Sequence, residues 1–587
     1  MSRRRTIFPE DRLPDAAELM ARGRERARTI QVVPGPFLSA TGAASEAAYK
    51  RQAVAEGRIM QHAQIGYRDL EKSCRAWAEI HASLAARGRR VDRYGICLDW
   101  VMGLPRDRRK AAPHGTGLIL ERPEDFSRLA GMAPVAPHFG DFIMGFPAAV
   151  ENTAAALLAG ATAIGNLGQY FTFRLPAWDD DVASTAATVE ALGLIAAQER
   201  EVLVHSNLDD GFAALFTDLT SVLGLVLIEK HMVEDLIGAP LSHCWGHHFS
   251  DQVKRLAFHL ALAEVNPTPG TMVYGNTISY AGGAGENYAA LAAYLAIDIA
   301  GQQLQPTGHA LNPVPVTENS RIPDIDEVIE AQLFAGRLIE RNAAARPLVD
   351  PAPAEAMAAD IVAGGRRFAA QVLAGLQEMG VDTANPLEML LALRRLGAKR
   401  LEQDFGAGEP DKAAPRGRRP LVAASLAAEI AHVAATRLAR VPQQARAAFA
   451  ARRPRLMVAT SDVHEHGKLA LEAVLGELGA DLIDGGVSVD PDDLAAAAIA
   501  AGAEAILVST YNGVALDYFS ALKAALAAEG STLPVLIGGR LNQVPVGTNT
   551  SLPVDVSGEL AAAGALVCGE IEGAVDALLQ ALAAKTL

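Results

Sequence analysis

The residues best suited to chemistry form a short loop near residue 462. The apolar run at 455–460 is followed by Asp462, His464 and Gly467, in the spacing Asp-x-His-x-x-Gly. A neutral imidazole is a good transition-metal ligand, and a carboxylate two residues earlier can accept the other ring N–H and so fix the tautomer. A nearby glycine lets the backbone approach a bulky cofactor closely. The loop therefore predicts His464 as a metal ligand, although an isolated match of this kind also fits a solvent-facing loop histidine.

Three further motifs follow the next apolar runs. The segment 484–487 follows the second run, Ser509 and Tyr511 end the third, and Gly538 and Gly539 end the fourth. In a parallel sheet, ligands bind at the carboxyl ends of the strands. These residues are therefore predicted to meet His464 at one edge of a sheet.

The order and spacing of these motifs resemble the cobalamin-binding domain shared by cobalamin-dependent mutases and methionine synthase. The resemblance implies that the cofactor's benzimidazole leaves cobalt, that His464 becomes the lower ligand, and that the nucleotide tail enters the sheet. It also implies that Ser509 bonds the tail base and that Gly538 and Gly539 make room for the tail. The family commonly has Ser-x-Leu where this chain has Ser-Thr-Tyr, so Tyr511 is expected to shape the pocket differently.

The elements that must position these residues are α/β in both halves of the chain. Five apolar runs near the C-terminus predict a small doubly wound, flavodoxin-like sheet: 455–460, 480–486, 503–510, 533–539 and 565–569. Between about 60 and 345, helical patterns alternate with short apolar runs, which predicts an N-terminal (β/α)8 barrel; examples of these runs are 94–100, 140–147, 161–168, 201–207, 224–230 and 269–275.

The predicted organisation has four parts. They are an N-terminal arm (1–60), a (β/α)8 barrel substrate domain (61–345), a helical linker (346–450) and a cobalamin-binding domain (451–587).

Polar residues that end apolar barrel strands are expected to face the active site. This rule predicts a substrate-binding set at the barrel mouth: His138, Tyr170, His205, Asn207, Asp209 and His247. For each residue a purely structural role is an equal alternative, and the His205–Asn207 segment is the strongest member. The set suits a small-molecule substrate that is hydroxylated or weakly anionic.

The barrel region also resembles the catalytic subunit of glutamate mutase. The similar segments are Met144-Gly145-Phe146-Pro147, Gly165-Asn166-Leu167-Gly168-Gln169-Tyr170 and Cys244-Trp245-Gly246-His247. Glu318 falls near that family's carboxylate beside the adenosyl ribose. The chain would then carry both parts of a mutase in the order seen in methylmalonyl-CoA mutase. This implies an adenosylcobalamin-dependent radical isomerase, with cobalt as its metal.

The chain departs from that family at the positions that hold substrate carboxylates. Ile143 and the segment 101–103 stand near the places of two arginines, and Val314 stands near that of a lysine. Arginine is the residue for bidentate carboxylate capture. Glutamate is therefore not the expected substrate. A methylcobalamin-dependent methyltransferase or corrinoid protein, with the helices at 353–450 as a cap, and a cobalamin sensor remain alternatives.

Composition limits the partners. The net charge of −15 argues against binding a nucleic-acid backbone, and Asp218 interrupts the most apolar stretch, at 214–229, which argues against a membrane span. The four cysteines form no CxxC pair, so a reducing cytoplasm is expected. Barrel mutases are often dimers, which makes a homodimer the expected assembly.

Overall fold

The computed structural model describes residues 3–208, 216–246, 249–276, 280, 283–319, 321–414, 416–462, 464–511, 513–544 and 553–584. The chain divides into two compact units. The first comprises Met1–Ala111, Gly117–Thr172 and Asp180–Leu426, and the second comprises Ala112–Thr116, Phe173–Asp179 and Ala427–Leu587. The predicted arm and most of the predicted linker thus belong to the same unit as the N-terminal strands.

The described part of the first unit contains eight short strands. They are β1 (His62–Ile65), β2 (Arg93–Ile96), β3 (Ala136–His138), β4 (Ala163–Ile164), β5 (Leu203–Asn207), β6 (Leu241–Cys244), β7 (Met272–Val273) and β8 (Ala310–Leu311). Its helices are α1 (Arg3–Ile7), α2 (Ala16–Arg26), α3 (Pro36–Thr41), α4 (Glu46–Ala55), α5 (Leu70–Ala85), α6 (Pro123–Ala130), α7 (Ala149–Leu158), α8 (Gln169–Thr172), α9 (Asp181–Ala196), α10 (Leu219–Lys230), α11 (Gln252–Val265), α12 (Ala284–Leu304), α13 (Ile325–Asn342), α14 (Ala352–Glu378) and α15 (Pro386–Phe405).

All strand pairings described in this unit are parallel and follow the order of the chain. β1, β2 and β3 form one group, β4, β5 and β6 a second, and β7 and β8 a third. Isolated parallel bridges join the groups, at Phe139 with Ile164, at Trp245 with Val273, and at Gln61 with Leu311. At least one helix separates each pair of consecutive strands, as a parallel α/β architecture requires.

Aspartates begin several of these helices. Asp69, Asp180 and Asp251 each accept a hydrogen bond from a backbone N–H in the first turn, at 2.6, 2.8 and 2.9 Å. Such caps satisfy donors that have no partner within the helix. They fix where α5, α9 and α11 begin after the loops that follow their strands.

Two of the predicted strand segments are wrong. The run 224–230 lies in α10, which is buried on nearly all sides and therefore lacks the polar stripe that marks a surface helix. The run 140–147 is the buried loop that follows β3, because the strand ends at His138. Short apolar runs do not distinguish a strand from a buried helix or loop.

The second unit is built around five parallel strands. They are β9 (Arg455–Thr460), β10 (Asp481–Gly486), β11 (Ala505–Thr510), β12 (Val535–Gly539) and β15 (Leu566–Cys568), and a small antiparallel pair, β13 (Asn542–Gln543) and β14 (Val554–Asp555), is separate from them. Its helices are α16 (Ser425–Arg440), α17 (Gln443–Arg452), α18 (His466–Glu477), α19 (Pro491–Ala500), α20 (Ala515–Ala528), α21 (Ser557–Ala562) and α22 (Ile571–Ala584).

The strand order β10-β9-β11-β12-β15 is that of a flavodoxin-like sheet, so the predicted C-terminal fold is confirmed. Alternate strand residues pack on opposite faces. Met457 and Ile506 join the core beneath α19 and α20, whereas Val458 and Leu507 join the core beneath α18 and α22. Burial on both faces explains why these strands are continuous apolar runs in the sequence. Among the described helices of the chain, none is long and apolar enough to cross a membrane.

Candidate functional site

The loop after β9 holds His464 in a defined orientation. The imidazole Nδ1 lies 2.7 Å from Asp462 Oδ1, and the backbone N–H of His464 donates to the same oxygen at 3.0 Å. The Asp462 side chain is 1% exposed, whereas that of His464 is 42% exposed. With the Nδ1 proton directed at the carboxylate, Nε2 carries the free lone pair, and no described residue hydrogen-bonds it. This is the geometry of a metal-ligating histidine with a carboxylate partner.

Asp462 also links the residues that follow β9 to those that follow β11. Its Oδ2 accepts hydrogen bonds from the backbone N–H of Tyr511 at 2.8 Å and from Ser461 Oγ at 3.2 Å. A buried carboxylate is stable only when donors satisfy it. Asp462 thus positions His464 after β9 and Tyr511 after β11 through one side chain.

Glycines leave a cradle beside this loop. A Cβ at Gly467 would come within 2.4 Å of Ser509 Oγ, one at Gly538 within 2.9 Å of the Cys568 carbonyl, and one at Gly539 within 2.4 Å of the Thr510 carbonyl. Gly539 also has a φ of +95°, which favours glycine. Side chains are therefore excluded from three neighbouring positions at the carboxyl edge of the sheet.

Two hydroxyls at the end of β11 have unused hydrogen-bonding capacity. Ser509 is only 9% exposed, and its hydroxyl bonds no described residue. The Thr510 Oγ1 is buried and has no partner either among the residues that the structure covers. A ligand that brings its own polar atoms into the cradle would satisfy them. The free imidazole nitrogen, the glycine cradle and these hydroxyls together fit a cobalamin.

Tyr511 lies against His464. Its ring centroid is 4.4 Å from that of His464, with an angle of 31° between the ring planes. The expectation that this residue shapes the site differently from the family's leucine stays a prediction, because the described contact is with the imidazole and not with a tail pocket.

Sequence reasoning missed one ion cluster in this region. Lys468, 3% exposed, lies 2.7 Å from Glu472 Oε1 and 2.9 Å from Asp484 Oδ1. Burial alone would lower the pKa of Lys468, but the two carboxylates outweigh it and raise that pKa. The Lys468–Glu472 spacing of four residues in a helix was the available signal; the contact with Asp484 required the fold.

The strands of the first unit bring His138 and His205 together. Their ring centroids are 4.4 Å apart, and the residues are 3% and 1% exposed. Desolvation, and then the charge of Arg93, lower the pKa of both imidazoles well below the usual range. Both rings are therefore neutral near pH 7.

Three of the four nitrogens of these rings have partners. His205 Nδ1 is 2.6 Å from Thr271 Oγ1, and its Nε2 is 3.4 Å from Cys244 Sγ. His138 Nδ1 is 3.2 Å from the Ala163 carbonyl. A structural role accounts for these contacts without a substrate.

The other predicted mouth residues lie in different surroundings. Asn207 is 1% exposed, and its backbone N–H donates to Asn166 Oδ1 at 2.7 Å. Tyr170 is 3% exposed, its carbonyl accepts from Arg394 Nη1 at 2.6 Å, and its hydroxyl is buried without a partner among the described residues. Burial raises the pKa of Tyr170 well above its ordinary value. Asp209 and His247 lie outside the described residues.

The carboxyl of Glu318 has a raised pKa although its side chain is exposed. Its side chain is exposed, yet the surrounding protein raises the pKa of its carboxyl to about 7. A carboxyl of this kind changes charge near neutral pH.

A buried ion pair positions the segments after β6 and β7. Arg255 makes two bonds to Asp298, at 2.6 and 2.7 Å, and also donates to the carbonyls of Gly246 and Tyr274. The sequence does not reveal this pair, because its members lie on α11 and α12, 43 residues apart.

The positions that depart from the arginine clamp are apolar in the structure. Ile143, Val101 and Met102 are fully buried. Arg109 lies nearby, but its guanidinium donates to the Met102 and Leu104 carbonyls at 3.2 and 3.0 Å and contacts Glu151 at 2.9 Å. This arginine is occupied by protein acceptors.

Comparison with known families agrees with the geometry of the second unit. Residues 452–578 match the model of the B12-binding domain. No curated protein matches the chain. The predicted cobalamin binding is therefore supported, and the match concerns the second unit alone.

Proposed function

We propose that this chain is an adenosylcobalamin-dependent isomerase, a carbon-skeleton mutase that acts on a small polar metabolite other than glutamate. The observation that carries the proposal is the Asp462–His464 pair at the edge of a B12-binding sheet. The chain also contains a large parallel α/β unit, which a substrate domain requires.

The strand pairings support a (β/α)8 barrel as the fold of that unit. The three parallel groups follow one another in chain order, and bridges connect β3 to β4, β6 to β7 and the residue before β1 to β8. A sheet whose first and last strands are joined closes into a ring. Barrels of this kind bind substrate at the carboxyl ends of their strands.

The roles of the cobalamin-site residues follow from their geometry. When bound, adenosylcobalamin supplies an organic radical through homolysis of its cobalt–carbon bond. Asp462 holds the proton on Nδ1 of His464 and so keeps Nε2 free, where it would coordinate cobalt. Gly467, Gly538 and Gly539 provide space, and Ser509 provides a hydrogen bond to the cofactor.

The first unit contributes a neutral polar interior. His138 and His205 are uncharged, and the Tyr170 hydroxyl has no partner among the described residues, which leaves it free to bond substrate. Hydrogen-atom transfer needs no titrating nucleophile, so the Tyr170 hydroxyl serves to bind and orient substrate, and the neutral imidazoles keep the interior uncharged. Glu318 is proposed to accept hydrogen bonds from the adenosyl ribose.

The buried apolar side chains at Ile143, Val101 and Met102 support a substrate without two clamped carboxylates. A buried carboxylate without a cationic partner is penalised by several kcal/mol. Conversion of glutamate to 3-methylaspartate by the holoprotein would refute this part of the proposal.

Of the helices that would cap methylcobalamin in a methyltransferase, α14 and α15 belong to the first unit. A Cβ at Gly224 of α10 would come within 2.5 Å of Phe368 and 2.8 Å of the Gly365 carbonyl, both in α14. This close crossing favours a structural role for α14 over a separate cap.

The test is incubation of the holoprotein with a metabolite pool. With adenosylcobalamin, one metabolite should elicit a cob(II)alamin radical signal and be isomerised. Transfer of a labelled methyl group from methylcobalamin to an acceptor would replace the proposal with a methyltransferase. Cobalamin-dependent binding of a partner without turnover would replace it with a sensor.

A further inference from the structure

Arg540 lies close to the Asp462–His464 pair, with the ring of Tyr511 between them. Arg540 directly follows Gly539, and its backbone N–H donates to the Thr510 carbonyl at 2.8 Å. Its guanidinium carbon lies 5.8 Å from the ring centroid of Tyr511, the residue that contacts His464. One aromatic ring thus separates this guanidinium from the imidazole.

The Arg540 guanidinium differs from the other charged groups described near this edge of the sheet, because those groups are paired. Lys468 is neutralised by Glu472 and Asp484, and Asp462 bonds His464. Arg540 is exposed, and its guanidinium makes no hydrogen bond or ion pair with any residue that the structure describes. Its guanidinium donors are therefore available to a ligand at this edge of the sheet.

We infer that Arg540 binds the phosphodiester of the cobalamin nucleotide tail. The corrin side chains of cobalamin are neutral amides, and the phosphodiester is the anion of the tail. When a histidine replaces the benzimidazole on cobalt, the tail stays covalently tethered, so its phosphate must lie close to the site. The Asp462 carboxylate bonds the backbone of Tyr511, so an anion at this edge needs a cationic partner, and a guanidinium binds phosphate through two parallel hydrogen bonds. The inference rests on cobalamin binding and not on the choice of reaction.

The test compares two ligands that differ in the tail. Affinities for adenosylcobalamin and for adenosylcobinamide, which lacks the nucleotide and its phosphate, are measured by spectral titration of the full chain. Arg540→Gln should raise the Kd for adenosylcobalamin on the order of 10-fold, as for a charge-assisted hydrogen bond, and leave the Kd for adenosylcobinamide unchanged. Arg540→Lys should retain most of the affinity. The control Arg455→Gln, an exposed arginine at the amino end of β9, should change neither value.

The salt dependence gives a second readout. The Kd of the wild-type chain for adenosylcobalamin should rise with ionic strength more steeply than that of Arg540→Gln. Equal weakening of both ligands by Arg540→Gln would overturn the inference, because the guanidinium would then act through Tyr511 or the corrin amides. An unchanged Kd for both ligands would overturn it as well. If the wild-type chain bound neither ligand, the proposed function would fail first.

Discussion

The loop after β9 and the interior of the N-terminal strands both contain buried polar side chains, but they use them differently. In the loop, Asp462 and His464 are two residues apart, and the imidazole keeps a free nitrogen. Among the strands, His205 meets Thr271 and Cys244, 66 and 39 residues away, and both of its nitrogens are engaged. The first arrangement leaves a ring nitrogen available to a ligand, whereas the second links neighbouring strands.

A buried charge cluster shows the structural role most clearly. Glu46 lies 2.5 Å from Lys50 Nζ and 2.9 Å from Arg93 Nε, and all three side chains are at most 1% exposed. Burial alone would raise the pKa of Glu46, but the two cations outweigh it and lower that pKa. The cluster lies at the amino end of β2, away from the carboxyl ends of the strands.

The largest expected effect is a loss of stability when this cluster is disrupted. Arg93→Ala leaves Glu46 with less compensation and should lower the unfolding free energy of the first unit by about 3–5 kcal/mol. Tryptophan fluorescence reports on this unit, since it holds Trp77, Trp100 and Trp245 of the four tryptophans. The Kd for cobalamin should stay unchanged.

Arg89→Ala is the matched control. It removes the partly exposed ion pair with Glu340 and should lower the unfolding free energy by less than about 1 kcal/mol. An Arg93 variant as stable as this control would contradict the structural role assigned to the cluster.

The second effect comes from removing His464, the proposed cobalt ligand. His464→Ala should weaken cobalamin binding on the order of 100-fold or more, above the range typical of outer hydrogen-bond partners, and should change the cobalamin absorption spectrum. Equilibrium dialysis measures the affinity. The control is His466→Ala, which changes an exposed histidine at the start of α18 and should leave the affinity normal. Equal losses in the two variants would show that both substitutions disturb the local structure and that no ligand is lost.

A smaller effect is expected at the partner of that ligand. Asp462→Asn keeps the shape of the side chain but removes the negative charge that stabilises the Nδ1 proton of His464. Cobalamin affinity should fall about 10-fold, at the lower end of the range for such partners. A loss as large as that of His464→Ala would show that Asp462 chiefly maintains the loop fold.

The smallest effect is a pH dependence at Glu318. Because folding raises the pKa of its carboxyl to about 7, the folded chain holds this proton more tightly than the unfolded chain. The resulting stabilisation is complete below the ordinary pKa of 4.5 and is lost as the pH rises through 7. Glu318→Gln should therefore raise the Tm slightly at pH 8 but not at pH 4, because solvent contact limits the effect. Glu79→Gln, on an exposed face of α5, is the control; equal Tm shifts at both pH values would exclude the titration.

The two units also differ in how accurately their strands could be predicted from the sequence. All five strands of the C-terminal sheet were predicted within two residues, because each is a continuous apolar run that ends in glycine or polar residues. In the first unit the strands are short, and polar residues such as His62 and Gln64 interrupt their pattern. A short apolar run also fits a buried helix, which is why the prediction of a strand at 224–230 is wrong.

The candidate sites follow the same division. His464 and Asp462 were predicted because their contact is encoded in local spacing. Arg540 and the Arg255–Asp298 pair were not, because only the fold brings their partners close. The roles predicted for His138, Tyr170, His205, Asn207 and Glu318 stay predictions.

The most direct test of the cobalamin site is electron paramagnetic resonance of the cob(II)alamin holoprotein. The chain is produced with ¹⁵N-labelled histidine and loaded with unlabelled cofactor. If His464 is the lower ligand, the three-line nitrogen splitting of the unlabelled sample should become a two-line splitting. Retention of the three-line pattern would show that the benzimidazole stays on cobalt and would contradict the account.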